Sequence, residues 1–236
     1  MADETSGLSR SVEDYLKAIY SIGDSGEAAS TSAIAEALEV QPASVTGMVK
    51  RLAESGYLEH VPYRGVRLTE QGVREALRVL RRHRILESYL AAHLDYPWED
   101  VHEEAERLEH AASDELIERM AAALGEPSYD PHGAPIPTAS GEVEATESFT
   151  LADLQVGEAA LVRAVRDDDS QGLQAVEAAG LLPGTRLLVR SRLREPAALR
   201  LEIDEAKPRT LDLPLPLARR VYVVPVAPEK SLQETE

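Results

Sequence analysis

The stretch "IAEALEVQPASVTGMVKRLAESGYLEHVPYRGVRLTEQG", residues 34–72, decides the fold of the first part of this chain. Its apolar residues recur at helical spacing, first up to "QP" and then over residues 43–56. Pro42 suits the first turn of the second helix, and Gly56 suits its C-terminal cap. Two short runs, 57–61 and 66–69, flank a "PYRG" turn and predict a β-hairpin. The stretch therefore predicts a winged helix-turn-helix.

In this arrangement the second helix presents its N-terminal residues to base edges in the major groove of DNA. Those residues are small here, so the helix can approach closely, and the hydroxyls of Ser44 and Thr46 can donate to phosphates or bases. The predicted DNA-binding residues are Pro42, Ala43, Ser44, Thr46, Gly47, Lys50, Arg51, Tyr63 and Arg64. The alternative is a winged helix that is used only for protein contacts.

Composition limits the other possibilities. The net charge of −17 argues against a nucleic-acid binder when taken alone, but residues 74–84 carry five Arg against one Glu. The sequence has neither an apolar run long enough for a membrane span nor a signal-sequence pattern, so we expect a cytoplasmic protein. Because there is no cysteine, a metal ion must be held by His, carboxylate, Met or carbonyl groups.

The remaining chain changes character along its length. Helical spacing predicts a first helix over 9–22, a long helix over about 70–94 and another over about 98–124. A segment rich in Pro and Gly follows, which we interpret as a crossover and a linker. From about residue 149, short strand-like runs predict a small β-barrel or sandwich of about 80 residues.

The stretch "VHEEAERLEH", residues 101–110, presents two imidazoles and two carboxylates along one helix face. The preceding helix offers a His and a Glu four residues apart, and the first helix offers an Asp. Oxygen ligands with one or two imidazoles suit Mn²⁺ or Fe²⁺. The candidate ligands are Asp14, His83, Glu87, His102, Glu106, Glu109 and His110. The alternative is an ordinary solvated acidic helix.

These stretches, together with "SVEDYLKAIY", "RRHRILESYL", "VHEEAERLEHAASDEL" and "DPHGAPIP", resemble the diphtheria toxin repressor family of metal-dependent regulators over about residues 9–137. Within the family the chain is similar to the manganese transport regulators. The segments "LADLQVGEAALV" and "GLLPGTRL" resemble the SH3-like domain that many members carry. The resemblance implies an α+β protein with a winged helix-turn-helix DNA-binding domain over 1–73, a helical metal-binding and dimerisation domain over 74–145, an SH3-like β domain over 149–228 and a disordered tail over 229–236.

The resemblance also implies roles for the candidate ligands. The primary, corepressor-sensing position matches Asp14, Glu106, Glu109 and His110, and the ancillary position matches His83, Glu87 and His102. Iron-responding relatives have Cys and Met where this chain has Glu106 and Asp14, so the resemblance favours Mn²⁺, with Fe²⁺ as the alternative. Lys17 replaces a second N-terminal carboxylate of the manganese regulators, which favours two separated sites over a two-metal cluster. Candidates for further ligands from the SH3-like domain are Asp169, Gln171 and Gln174.

The resemblance implies a manganese-dependent repressor of metal-ion homeostasis genes, in which Mn²⁺ orders a homodimer for binding to a palindromic double-stranded DNA operator. Two reading helices must lie about one turn of DNA apart, which requires a dimer. A plausible dimer face consists of Ala111, Ala112, Leu116, Ile117 and Met120, with packing inside the monomer as the alternative for each.

Other functions compete with this one. The same family contains iron-responsive regulators, and a winged-helix regulator can be metal-independent. The "EDVH" stretch, 99–102, has the Glu-x-x-His spacing of di-iron enzymes, but such sites need the motif on two helices and only one copy fits. The sequence shows no Ser–His–Asp set, P-loop or dinucleotide-binding loop, so we predict no enzymatic activity and no catalytic residue.

Overall fold

The computed structural model describes residues 8–23, 28–145, 149–167, 170–204 and 208–227. The chain divides into two compact units. The first, here the N-terminal unit, comprises Met1–Leu86, Ala105–Glu126 and Ile136–Glu144. The second, here the C-terminal unit, comprises Glu87–Glu104, Pro127–Pro135 and Ala145–Glu236.

The N-terminal unit begins with the predicted helices and hairpin: α1 (Arg10–Ile22), α2 (Thr31–Ala37), α3 (Pro42–Glu54), β1 (Leu58–Val61) and β2 (Gly65–Leu68). The side chain of Ser30 caps α2 by accepting the N–H of Ala33 at 3.1 Å. The two strands pair antiparallel. Side chains from all three helices and the hairpin form one core that includes Leu16, Ile19, Ile34, Val45, Leu52, Leu58 and Val66. The predicted order of winged-helix elements is confirmed.

Three further helices follow: α4 (Glu70–Leu94), α5 (Val101–Leu108) and α6 (Asp114–Ala123). The prediction for α4 is confirmed, whereas the single helix predicted over 98–124 is wrong. The hydroxyl of Ser113 accepts the N–H of Leu116 at 3.2 Å, and Asp114 and Glu115 occupy the first turn of α6. A second helix starts here because the Ser113 cap and the two acidic side chains compensate the free N–H groups at its N-terminus.

A second apolar core of the N-terminal unit contains Ile85, Leu86, Ala105, Ile117, Ala121 and Ile136. Ile117, one of the residues predicted for the dimer face, is only 1% exposed and packs inside the monomer instead. Leu116 and Ala111 are exposed, and Ala112 and Met120 are partly buried. Leu116 thus lies on the exposed side of α6, whose opposite side is packed through Ile117 and Ala121.

The C-terminal unit contains a five-stranded antiparallel sheet in the order β6-β5-β4-β3-β7. Its strands are β3 (Ala159–Val165), β4 (Arg186–Arg194), β5 (Ala197–Ile203), β6 (Arg209–Pro214) and β7 (Val221–Val226), with short helices α7 (Ser170–Ala178) and α8 (Leu215–Ala218). The sheet and helices enclose a core that includes Leu151, Leu173, Val189, Leu201 and Val223. The tail predicted to be disordered, 229–236, lies outside the described residues.

Within the described ranges, no helix is both long and apolar enough to cross a membrane.

We expect Gly65→Ala to lower the free energy of unfolding by about 2 kcal/mol or more. Gly65 has a φ of 124°, and a Cβ there would lie 2.0 Å from the carbonyl oxygen of Ala29. Urea denaturation followed by circular dichroism measures the effect. The control is Gly47→Ala, because Gly47 lies inside α3 with open space around it. This variant should raise the free energy of unfolding by about 0.5–1 kcal/mol. Equal stability of the Gly65 variant and the wild type would contradict this account of the wing.

Candidate metal centre and nucleic-acid interface

Seven polar side chains converge in the N-terminal unit, and we call them the primary cluster: Glu13, Asp14, Lys17, His83, Glu106, Glu109 and His110. Three come from one side of α1, where spacings of three and four residues bring side chains together. The others come from α4 and from the end of α5 and the residues that follow it. Glu109 and His110 therefore lie in the segment between α5 and α6.

His110 has the arrangement of a metal ligand. Its Nδ1 lies 2.6 Å from a carboxylate oxygen of Glu13. Its Nε2 lies 2.8 Å from Asp14 Oδ1 and 3.3 Å from Glu109 Oε1. This Nε2 is buried and has no partner with hydrogen-bond geometry among the described residues. An imidazole that binds a metal commonly donates its other ring N–H to a carboxylate, which fixes the orientation of the ring. The residues present therefore fit a divalent cation.

Glu109 is completely buried between cationic and imidazole groups. It lies 2.7 Å from the ammonium of Lys17 and 2.6 Å from Nδ1 of His83. Burial alone would raise the pKa of Glu109, but the bond from His83 and the charge of Lys17 outweigh burial and lower it. The carboxylate is therefore ionised at neutral pH and available as a ligand.

Two other charged groups of the primary cluster respond to the same surroundings. Burial raises the pKa of Asp14, against the charges of His110 and Lys17. Burial would lower the pKa of Lys17, but its ion pairs with Glu109 and Glu106 raise it above the ordinary value. Lys17 is thus a charged ammonium that contacts two candidate ligands.

The structure brings the four residues assigned to the primary position into this one cluster. Ligand atoms of Asp14, Glu109 and His110 lie within 4.8 Å of one another, as do those of His83, Glu106 and Glu109. His83, which the resemblance assigns to the ancillary position, contacts Glu109 within the N-terminal unit. Sequence reasoning missed Glu13, although it precedes Asp14 and lies on the buried side of α1.

The C-terminal unit holds a second group, here the ancillary cluster: Glu87, His102, Asp130, His132 and Asp167. Nδ1 of His102 lies 3.1 Å from Glu87 Oε1 and 3.6 Å from Asp167 Oδ2. Nδ1 of His132 lies 3.8 Å from the same oxygen of Glu87 and 3.9 Å from the same oxygen of Asp167. Two imidazoles and two carboxylates therefore face one small volume.

His132 is fixed in one tautomer. Its Nε2 lies 2.9 Å from the carbonyl oxygen of Trp98, which can only accept a hydrogen bond, so Nε2 carries the proton. In the neutral ring Nδ1 then has a lone pair, and this atom is fully buried and has no hydrogen-bond partner in the described part of the chain. Asp130 holds the backbone of this turn by accepting the N–H groups of His132 and Ala134 at 2.8 and 3.0 Å.

Sequence reasoning missed His132, Asp130 and Asp167. The first two stand in "DPHGAPIP", and Asp167 begins a run of three Asp, so the residue types gave a signal that spacing could not resolve. Of the ligand candidates from the β domain, Asp169 lies outside the described residues, and Gln171 and Gln174 are exposed on α7. Among the described residues of this region, Asp167 is the carboxylate that approaches His102.

The DNA-binding residues predicted on α3 share one exposed face. Val45, Val49 and Leu52 bury the opposite face. The exposed set is Pro42, Ala43, Ser44, Thr46, Gly47, Lys50 and Arg51. The first turn of α3 has no acidic residue that would repel phosphate. Tyr63 projects fully into solvent from the wing with a φ of 64°, and Arg64 beside it is exposed.

Asp114 connects two arginines of α4 to α6. Arg78 and Arg82 both bond its carboxylate, and Arg82 also donates to Glu13 at 3.2 Å. Burial raises the pKa of Asp114, but the bonds from Arg78 and Arg82 outweigh burial and lower it. These ion pairs join α1, α4 and α6, and they include Glu13 of the primary cluster.

We expect Asp114→Asn to reduce the free energy of unfolding by about 1 kcal/mol at neutral pH. Because the folded pKa of Asp114 is depressed, its stabilisation is present above the unfolded value near 3.8 and is lost as pH falls through the folded pKa. Urea denaturation of metal-free protein at several pH values measures this. The control is Glu115→Gln, which removes an exposed acid from the same turn and should cost less. Equal losses in both variants would rule out a special role for Asp114.

Three family models match the chain in succession. The model described as "Iron dependent repressor, N-terminal DNA binding domain" matches residues 7–66. The model described as "Iron dependent repressor, metal binding and dimerisation domain" matches residues 69–138. The FeoA domain model matches residues 149–225.

Curated relatives match different lengths of this chain. An HTH-type transcriptional regulator MntR from Oceanobacillus iheyensis is 40% identical over 110 residues, which cover 47% of this chain and 74% of that protein. A diphtheria toxin repressor from Corynebacterium glutamicum is 32% identical over 186 residues, covering 74% of this chain and 81% of that protein. The iron-dependent repressor IdeR of Mycobacterium tuberculosis is 37% identical, and the match spans 54% of its length.

Solved structures agree over nearly the whole chain. A structure titled "Manganese-dependent transcriptional repressor complex with manganese" has a TM-score of 0.84 at 37% identity, covering 91% of this chain and all of that one. The manganese regulator SloR has a TM-score of 0.75 at 31% identity, covering 91% and 98% of the two chains.

Proposed function

This chain belongs to the iron-dependent repressor family, to which the diphtheria toxin repressors also belong, and we propose that it is a transcriptional repressor with Mn²⁺ as its corepressor. We propose that its targets are metal-ion homeostasis genes, that it acts in the cytoplasm and that it has no enzymatic activity. The domain boundaries 1–73, 74–145 and 149–228 are part of the proposal.

One observation carries the metal dependence. Nε2 of His110 is buried, has no partner with hydrogen-bond geometry among the described residues and faces Asp14 and Glu109, while Glu13 contacts the other ring nitrogen. An imidazole with several carboxylates suits Mn²⁺ or Fe²⁺, and the chain has no cysteine to supply a thiolate. The two solved neighbours above are a manganese-dependent repressor and a manganese regulator, which supports Mn²⁺; the iron-dependent relatives support Fe²⁺ as the alternative.

We propose Asp14, Glu106, Glu109 and His110 as ligands at the primary position. Asp14 lies on α1, whereas the other three lie on α5 or directly after it. A cation held by both segments fixes α1, and α1 shares its core with α2 and α3 through Leu16 and Ile19. Binding would therefore favour one orientation of the reading helix, as a ligand that prefers one of two states must do.

We propose Glu87, His102, His132 and Asp167 as ligands at the ancillary position, with His83 of the original assignment kept as a candidate. The lone pair that His132 directs toward Glu87 and Asp167 supports this set. Asp130 would hold the turn that carries His132.

We propose that α3 and the wing bind a palindromic operator as part of a homodimer. The DNA-binding residues are those predicted from the sequence, because all of them on α3 share the exposed face. Leu108 and Leu116 are exposed apolar side chains of α5 and α6 that suit a dimer contact, and a family model for metal binding and dimerisation covers both.

The repressor proposal is tested by fluorescence anisotropy of genomic operator fragments with metal-stripped protein at fixed salt, since salt alone changes affinity. We expect added Mn²⁺ to tighten binding about 5- to 150-fold, the usual range of coupling between two sites, and Glu106→Ala to abolish the gain. Glu103→Ala, which removes an exposed acid from the same helix, should keep it. Anaerobic Fe²⁺ in place of Mn²⁺ tests the iron-responsive alternative. Equal affinity with and without either metal would refute the proposal.

The ancillary position is tested by counting bound Mn²⁺ with electron paramagnetic resonance of the free ion. We expect two ions per wild-type chain and one in His132→Ala, because the variant loses the buried imidazole nitrogen. His93→Ala removes an exposed imidazole of α4 and should leave two ions bound. A His132→Ala protein that binds two ions would exclude His132 as a ligand.

A further inference from the structure

Lys17 occupies the primary cluster as a resident cation. Its ammonium bonds a carboxylate oxygen of Glu106 and lies 2.7 Å from Oε1 of Glu109. The side chain of Lys17 is only 15% exposed, and that of Glu109 is completely buried. The contact therefore differs from a surface ion pair, because neither partner can exchange it freely for water.

Lys17 lies among carboxylates that come from two segments of the chain. The carboxylates are Glu13 and Asp14 from α1 and Glu106 and Glu109 from α5 and its end. The cationic side chains that contact them are Lys17 from α1 and Arg82 from α4, and the imidazoles are His83 and His110. Lys17 thus contacts two carboxylates, Glu106 and Glu109, that a divalent ion would also need as ligands.

One carboxylate oxygen of Glu109 lies close both to the Lys17 ammonium and to the proposed metal position. Oε1 of Glu109 lies 2.7 Å from the Lys17 ammonium and 3.3 Å from Nε2 of His110, the nitrogen proposed as a ligand. An ion bound to both His110 and this oxygen would lie against the ammonium. Like charges at such a distance repel, and the burial of Glu109 and Lys17 reduces screening by water there.

We propose that Lys17 is a competing cation that holds the metal-free primary cluster together and must withdraw from Glu109 and Glu106 when a divalent ion binds. It thereby determines the Mn²⁺ concentration at which the repressor responds. This inference rests on the proposed function, since it concerns the same site. Lys17 is a positioning residue, because it acts through the ligands and is not a ligand itself.

The test compares wild type, Lys17→Met and Lys17→Arg. Mn²⁺ affinity is measured by isothermal titration calorimetry, and thermal midpoints are measured with and without Mn²⁺. The methionine keeps the apolar stem but removes the charge, so the metal-free midpoint should fall and the primary-site affinity should rise at least about tenfold. The arginine keeps the competing charge, so its affinity should stay nearer to that of wild type. Arg119→Gln, which removes an exposed cation from α6, should change neither quantity.

Each outcome has a distinct meaning. A methionine variant that folds only with Mn²⁺ supports the proposal, since the ion then replaces the missing cation. A methionine variant with unchanged or weaker Mn²⁺ affinity overturns the competition, while normal binding by wild type leaves the proposed function intact. Failure of both wild type and the methionine variant to bind Mn²⁺ overturns the competition and the metal-dependent repressor together.

Discussion

The buried carboxylate of Glu109 is the constraint on which the N-terminal unit depends. A carboxylate removed from water is costly unless charged or hydrogen-bonded partners surround it. Here the partners come from separate elements: Lys17 from α1 and His83 from α4, with His110 beside it. The helices must therefore meet around this one group, and the winged helix is attached to the same arrangement through the core face of α1.

In both clusters an oxygen atom holds one nitrogen of an imidazole ring and so fixes the orientation of the ring. Glu13 binds one ring nitrogen of His110, and the Trp98 carbonyl oxygen accepts from one ring nitrogen of His132. In each case the other nitrogen is buried and aimed at carboxylates. The N-terminal unit adds a lysine to its cluster, so its metal-free form is internally compensated. The two clusters should consequently differ in how strongly metal binding stabilises each unit.

The arginines of α4 show why charge counts mislead when they are taken from sequence. The run over 74–84 suggested a local basic region within an acidic chain. In the structure Arg81 and Arg82 are buried, Arg81 is held by Glu118, and Arg78 and Arg82 share Asp114. Their charge is largely compensated by these acids. The surface that we propose for DNA binding is instead the small-residue face of α3 with the exposed wing.

The sequence by itself determined the winged helix and the extent of α4, and it limited the candidate ligands to imidazoles and carboxylates, because these depend on spacing within single segments and on which residues are present. The ligand assignment itself stays a prediction. Tertiary structure decided the break between α5 and α6, where helical spacing continued but a Ser113 cap started a new helix. It also decided that Glu13 reaches His110 across 97 residues of chain, that Lys17 contacts Glu109 across 92, and that His132 and Asp167 approach Glu87. Contacts between such distant residues follow from how helices pack, which no local pattern encodes.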